Sequence, residues 1–507
     1  MTAERPRNVL LITCDQWRGD ALGAAGNPIV KTPAFDRLAA EGTRFANHFS
    51  VTSPCGPARA SLLTGTYART HRSVRNGIPL DHRFTNLALE ARAVGYRPIL
   101  FGFTDTTLDP RHFAEAEVMR LGEEGELPGF DIGVSLNLKT LDSWRQHLSA
   151  RGKQIDGETA SLLTPADGRI GAPAGHDEAS SQTAFLTEQA IDYIAGAADG
   201  WFVHLSYLRP HPPFVAPAPY HALYDPADMP APVRAPTRAA EAAVHPWLGH
   251  EIERINRQMN GLSNAVGEGE DYERHRNQHV ATYYGLITKL DHWIGRLLDA
   301  LREQGRYDDT LIIITSDHGE LAGDHWLFGK SGWFDKSYHV PLIVRDPSAP
   351  AASRGSAVTA FTESIDVMPT ILDWLGRVPP RQCEGVSLVP WLQGERPEDW
   401  RDEVHIQYDF RDTGRADAPR PLGLDLDHCA LDVVRTERYK YVHFAGLPAL
   451  LFDLVDDPGE LENRFADPGY QSTRMDMMDR MLTWRLCTDD RLLTGIRVSR
   501  HGIGTFA

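Results

Sequence analysis

The chain has 507 residues, 42% of them hydrophobic and 24% charged, which supplies a large buried core and the ordinary balance of a globular protein, either as two or three domains or as one core with a smaller annex. Its 52 Lys and Arg against 69 Asp and Glu leave a formal net charge of −17, which argues against a nucleic-acid binder and against a protein held to an anionic membrane surface. An anionic small-molecule substrate would need a local nest of cations or a metal ion to overcome that field.

Residues 1–7 precede an apolar run, Val9-Leu10-Leu11-Ile12, which Asp15 ends. The run is too short for a signal-peptide core or a membrane span, so a cytosolic protein is expected. Residues 9–13, 99–103, 201–205, 311–315 and 340–344 are continuous rather than alternating apolar runs and read as buried parallel strands. Polar residues follow several of them: Asp15-Gln16 after the first, His211 after the third, Asp317-His318 after the fourth. In open α/β sheets ligands bind beyond the carboxyl ends of the strands, so these distant segments are expected to converge.

Between the first two runs lies Ser53-Pro54-Cys55-Gly56-Pro57-Ala58-Arg59-Ala60-Ser61. Pro57 suits the first turn of a helix, where its missing N–H costs nothing. Cys55 then sits at the positive end of the helix dipole, with Arg59 one turn on and facing back to it. Asn76, in Arg75-Asn76-Gly77, reads equally as a turn residue. The Pro- and Ala-rich stretch 216–246 is interrupted by Tyr220, Tyr224 and Met229 and followed by Trp247, which predicts a long ordered loop. Leu286, Leu290, Trp293, Leu297 and Leu301 fall on one face of a helix. Strands alternating with helices imply an α/β fold with a largely parallel sheet.

From about Cys383 the pattern changes. Residues 438–444 alternate at a period of two after a Thr436-Glu437 turn and predict an antiparallel hairpin. The expected division is residues 1–380 as a catalytic α/β domain and 381–507 as a smaller α+β subdomain, whose tail from about Arg491, with Arg497, Arg500 and Phe506, offers an arm toward a neighbour. The five cysteines, Cys14, Cys55, Cys383, Cys429 and Cys487, are scattered and odd in number, which speaks against a disulfide framework.

Cys-x-Pro-x-Arg at 55–59 with Thr64-Gly65 resembles the signature of the sulfatases, within the alkaline phosphatase superfamily. The resemblance implies an alkaline-phosphatase-like core: a large mostly parallel sheet flanked by helices, with a C-terminal antiparallel sheet. It also implies that a separate formylglycine-generating enzyme oxidises Cys55 to formylglycine. The aldehyde hydrate has two hydroxyls: one attacks sulfur or phosphorus, and the other lets the ester collapse by carbon–oxygen cleavage. Asp15, Gln16, Asp317, His318 and modified Cys55 would hold one divalent cation, Mn2+ or Ca2+. Arg59 would orient and help ionise the nucleophile. Asn76, His211 and Lys330 would neutralise charge on the transferred group and leaving oxygen, with His211 or Lys330 as general acid.

Segments 55–61, 209–215, 362–370 and 440–444 are similar to bacterial phosphonate monoester hydrolases and their oligomeric arylsulfatase relatives, which implies a homodimer or homotetramer. Gln16 and His318 fit that subgroup. Phe103 and Asp105 depart from it: the related hydrolases carry a Tyr and a Thr there, whose hydroxyls donate to a phosphonate oxygen. Asp105 offers an acceptor whose charge repels an anion, or it turns the chain after the strand. These departures favour sulfate monoesters as the main substrate, with phosphonate monoesters and phosphodiesters as secondary ones. The alternatives are a phosphonate monoester hydrolase with phosphodiesterase activity and, from another class, an inactive anion-binding protein with unmodified Cys55.

Overall fold

The run that begins at Val9 forms strand β1 (Asn8–Cys14), buried over its whole length. Parallel neighbours cover both of its edges: β6 (Phe202–Tyr207) on one side and β7 (Thr310–Ser316) on the other. The computed structural model describes residues 7–122, 125–136, 141–153, 164–165, 168–259, 269–412 and 421–505; Phe506 of the expected arm lies outside them. With β2 (Thr43–Phe49), β4 (Pro98–Gly102), β5 (Asp131–Ser135), β8 (Leu342–Arg345) and β9 (Ser356–Glu363), the sheet reads β5-β4-β6-β1-β7-β8-β2-β9.

Alternate side chains of the central strands enter two apolar layers. Leu10, Ile12, Ile312 and Ile314 pack on the side of the helix Glu270–Glu303, whose Leu290, Leu297 and Leu301 face them. Val9, Leu11, Leu311 and Ile313 pack with Leu62 and Leu63 of the helix Cys55–Thr64 and Met368 and Ile371 of the helix Val367–Trp374. Burial on both faces is why these strands read as unbroken apolar runs.

One strand expectation is corrected. Residues 340–344 were expected to run parallel, but β8 is antiparallel to both β7 and β2. The connection from Ser316 to Leu342 stays at the carboxyl end of β7 instead of crossing back along the sheet on a long helix, so the chain re-enters in the opposite direction. A strand buried on both faces carries no mark of its direction.

β3 (Thr52–Ser53) joins the C-terminal strands β10 (Glu403–Asp409), β11 (Ala430–Thr436), β12 (Tyr439–Phe444) and β13 (Leu450–Asp453) in a second sheet of order β13-β12-β11-β10-β3. β11 and β12 form the expected hairpin, with Leu431 opposite Phe444. The edge strand β3 is Thr52–Ser53, immediately before the Cys55 helix, and pairs in parallel with β10. The second sheet therefore grips the segment that delivers Cys55. The 216–246 stretch is ordered, with short 3-10 turns at Tyr220–Ala222 and Pro226–Asp228 and buried Tyr224 and Met229.

Candidate active site

The helix Cys55–Thr64 begins at Cys55 after extended Pro54, and all of its residues are buried. Gly65 ends it in the left-handed conformation (φ 67°), its N–H donating to the Ser61 carbonyl at 2.9 Å. A Cβ at Gly56 would lie 2.9 Å from the Asp105 carbonyl oxygen and 3.2 Å from Asn76 Oδ1, so only glycine fits in this first turn. The Gly56 N–H donates to Asn76 Oδ1 at 3.0 Å. That bond fixes the amide and leaves Nδ2 as the donor end of Asn76.

Asp15-Gln16 leaves the end of β1 and Asp317-His318 leaves the end of β7. The register pairs Cys14 with Ser316, so the two dipeptides emerge side by side. Ligand atoms of Asp15, Cys55, Asp317 and His318 all lie within 4.8 Å of one another, and all four residues are buried. Cys55 Sγ is 3.6 Å from Asp15 Oδ1, 3.2 Å from His318 Nε2 and 3.0 Å from Lys330 Nζ. Lys330 Nζ also donates to Gln16 Oε1 at 2.7 Å. Arg59 joins the two acids from beneath: Nε donates to Asp317 Oδ2 at 2.9 Å and one terminal nitrogen to Asp15 Oδ2 at 3.1 Å. Its other terminal nitrogen donates to Ser206 Oγ at 2.6 Å and the Phe103 carbonyl at 3.2 Å.

Burial, reinforced by the neighbouring Asp317 charge, raises the Asp15 carboxyl above its ordinary value. Burial also pushes Asp317 upward, but His318, Arg59 and Lys330 outweigh it and hold that carboxyl well below the usual range. Burial lowers the His318 imidazole to about 4 against the pull of Asp317. Lys330 is raised, because Cys55, Asp15 and Asp317 more than offset its burial.

His211, Phe103 and Asp105 are arranged around this cluster rather than in it. His211 Nδ1 lies 2.6 Å from the Pro212 carbonyl, which fixes Nδ1 as the protonated nitrogen and Nε2 as the acceptor. Burial, then the charge of Lys330, moves this imidazole well below its ordinary value. The Phe103 ring lies under the Arg59 guanidinium, 4.3 Å from ring centroid to Cζ. Asp105 is buried, has φ 52° and sits under the first turn of the Cys55 helix. Two residues not singled out from the sequence belong to the site: Ser206, whose hydroxyl accepts from Arg59, and Glu320, which accepts from the Gln16 amide. A serine at the carboxyl end of a buried strand and a buried acid two residues past Asp317-His318 are the signals that mark them.

The donors fit a divalent cation. Two carboxylates, an amide oxygen and an imidazole form a hard set with one nitrogen. The Lys330 ammonium touches both Gln16 Oε1 and Cys55 Sγ, so these atoms already face a positive charge.

Residues 7–377 match the family model Sulfatase, and residues 323–486 match the model N-sulphoglucosamine sulphohydrolase, C-terminal. The chain is 44% identical to the multifunctional alkaline phosphatase superfamily protein PehA of Trinickia caryophylli, over 98% of this chain and 99% of that protein. It is 29% identical to an arylsulfatase of Clostridium perfringens, over 97% of this chain and 98% of that protein. The crystal structure of the phosphonate monoester hydrolase of Agrobacterium radiobacter matches with a TM-score of 0.92 at 43% identity, covering 99% of this chain and 100% of that one. The phosphonate monoester hydrolase SpPMH of Silicibacter pomeroyi matches with a TM-score of 0.92 at 40% identity, covering 99% of each chain. Sulfatases generally use formylglycine and a divalent metal ion, and the four clustered side chains make a possible site for one. From the motif, the site and these matches together, the chain belongs to the sulfatase family of the alkaline phosphatase superfamily.

Proposed function

We propose that this protein hydrolyses sulfate monoesters in the manner of an arylsulfatase, accepts phosphonate monoesters and phosphodiesters at the same site, and depends on Cys55 converted to formylglycine and on one divalent cation, Mn2+ or Ca2+. The observation that carries this reading is the convergence of Asp15, Asp317, His318 and Lys330 on Cys55 at the head of a buried helix. When present, the aldehyde hydrate supplies one hydroxyl to attack and one to release the bound group, and the cation ionises the first and polarises the ester.

Asp15, Gln16, Asp317, His318 and position 55 would hold the cation. The chain's other residues prepare and balance the site. Arg59 ties Asp15 to Asp317 and fixes their spacing. Asn76 turns its Nδ2 donor outward because Gly56 occupies its oxygen. Lys330 carries a proton beside Cys55 and serves as the charge-neutralising donor to the leaving oxygen. Burial and the Lys330 charge disfavour the protonated form of His211, whose Nδ1 is bound to the Pro212 carbonyl, so Lys330 is the better-supplied proton donor of the two. Phe103 offers no hydroxyl to a phosphonate oxygen, and the Asp105 charge disfavours doubly charged phosphate monoesters.

The main-substrate assignment is tested by kcat/KM for an aryl sulfate, an aryl phosphonate ester and an aryl phosphodiester under one set of conditions. The highest value for the sulfate is expected. A clear preference for the phosphonate establishes the second reading, which the relatives named as phosphonate monoester hydrolases favour.

Residues 1–380 act in this reading as the catalytic unit and 381–507 as the supporting subdomain. The pairing of β3 with β10 supports that division of labour. The protein works in the cytoplasm, a placement supported by the four cysteines besides Cys55, which are unpaired. Its partners are the ester substrate, the formylglycine-generating enzyme and one or three further copies of itself. The terminal hairpin Ile496–Ser499/Gly502–Thr505, with Val498 and Ile503 exposed at 75% and 76%, supports assembly. Light scattering at micromolar concentration distinguishes dimer, tetramer and monomer.

A further inference from the structure

We propose that Glu320 is a positioning residue that fixes which end of the Gln16 amide faces the metal cluster, and that it locks the Lys330 loop to that choice; the inference rests on the reading of Gln16 as a cation ligand. Glu320 is wholly buried, and its two oxygens do separate jobs. Oε1 accepts the backbone N–H groups of Ala322 at 2.8 Å and Gly329 at 2.7 Å, which closes the loop from 320 to 329. Oε2 accepts from Gln16 Nε2.

That second bond decides the orientation of Gln16. The amide has one donor end and one acceptor end. With Nε2 against the Glu320 carboxylate, Oε1 points to Lys330 Nζ at 2.7 Å, and the same Nζ lies 3.0 Å from Cys55 Sγ. Reversing the amide would set oxygen against carboxylate and N–H against ammonium, two repulsive contacts in place of two attractive ones. A carboxylate at 320 therefore delivers an oxygen, and not an amide N–H, toward the cation side. The same carboxylate holds Gly329, the residue before Lys330. One side chain thus sets the position of a ligand and of the cation that donates to it.

The two jobs are separable. In Glu320→Gln the remaining oxygen keeps the Ala322 and Gly329 bonds, while the new NH2 meets Gln16. Gln16 then turns its oxygen toward residue 320 and its NH2 toward the cluster. In Gln16→Glu alone two carboxylates confront each other. The double variant Gln16→Glu/Glu320→Gln restores a donor–acceptor pair with the roles exchanged.

The experiment measures Mn2+ affinity by isothermal titration calorimetry on the full-length protein for wild type, Glu320→Gln, Gln16→Glu, the double variant and Asp317→Asn, with thermal midpoints to confirm folding. Supporting partners of metal ligands typically change affinity by about ten- to a hundredfold. The expected result is a loss of about tenfold or more in each single variant and recovery to within a few-fold of wild type in the double variant. Unchanged Mn2+ affinity in Glu320→Gln, or a double variant no better than Gln16→Glu, overturns the proposal and leaves Glu320 as a loop clasp only. If Asp317→Asn also leaves Mn2+ binding unchanged, the metal-site reading itself fails, so the two failures are told apart.

Discussion

At the scale of single residues, Arg59 shows how much of the site hangs on one planar group. The residue is 2% exposed, and its guanidinium reaches four acceptors on four segments: Asp15, Asp317, Ser206 and the Phe103 carbonyl. A lysine offers a single nitrogen and cannot span them. Arg59→Lys is expected to lower kcat/KM by about a hundredfold or more, as loss of a preorganised charge does, with an accompanying drop in the denaturation midpoint. Steady-state kinetics and urea titration check this, and retention of wild-type kcat/KM would contradict the assigned role. Gly56 makes a second case at this scale. A methyl group there presses on the Asp105 carbonyl and on Asn76. Gly56→Ala is expected to cost about ten- to a hundredfold in kcat/KM by displacing the helix that begins at Cys55, since a shift of about 1 Å can cost a factor of that order. The sequence showed Cys55, Arg59, Asp15 and Asp317 because each combines reactive chemistry with a place just after a strand or at a helix start. Ser206 and Glu320 were only weakly marked, by a serine at a strand's end and an acid just past Asp317-His318, because their importance lies in what they touch. A Ser in a strand and a Glu in a loop are common, and only the folded chain shows that one meets Arg59 and the other Gln16.

At the scale of elements, the second sheet supports the first through a buried ion cluster. Lys440 in β12 is wholly buried, with Nζ 2.5 Å from Asp335 Oδ1 and 2.8 Å from Glu460 Oε2. Asp335 begins the short helix that follows the Lys330 segment. Replacing the lysine leaves the buried Glu460 carboxylate without its cation and beside the half-buried Asp335, which keeps Arg435 at 3.2 Å. Lys440→Met is expected to destabilise the fold by about 3–5 kcal/mol, measured by urea denaturation; a change under about 1 kcal/mol would show that the cluster is solvated. Among the elements, the central strands were readable as apolar runs and the β11–β12 hairpin as alternation. β2, β9 and β10 were not, because Thr-Arg-Phe-Ala-Asn-His-Phe, Ser-Ala-Val-Thr-Ala-Phe-Thr-Glu and Glu-Val-His-Ile-Gln-Tyr-Asp carry polar residues that hydrogen bonds satisfy only after folding. His48 in β2, for example, lies 3.0 Å from Thr362 of β9. The direction of β8 was hidden for a different reason: sequence reports burial, while the preceding connection sets direction.

At the scale of the whole molecule, the chain buries histidines in neutral form, and this shapes its stability with pH. His71 Nδ1 accepts the Ser73 N–H at 3.1 Å, so Nε2 carries the proton and donates to Ser61 at 2.9 Å, and Nδ1 cannot take a proton without losing its bond. Burial lowers the imidazoles of His48, His71 and His204 to about 3 from their ordinary 6.5. Above pH 6.5 neither the folded nor the unfolded chain is protonated at these sites, and their contribution is fully present. As pH falls from 6.5 toward 3, only the unfolded chain gains protons, so stability falls by up to about 1.4 kcal/mol per pH unit for each histidine. Urea denaturation from pH 7 to 5 is expected to show this slope, and His71→Gln should reduce it; an unchanged slope would contradict the assignment. Acids from residues 15 and 317 meet at position 55 only when the whole sheet is assembled, and the account stands on what position 55 carries in the working enzyme. The most direct test is mass spectrometry of the peptide containing residue 55 from active protein. The predicted result is a side chain in which oxygen has replaced the sulfur with loss of two hydrogens. Sulfur retained at that position in fully active protein would contradict it.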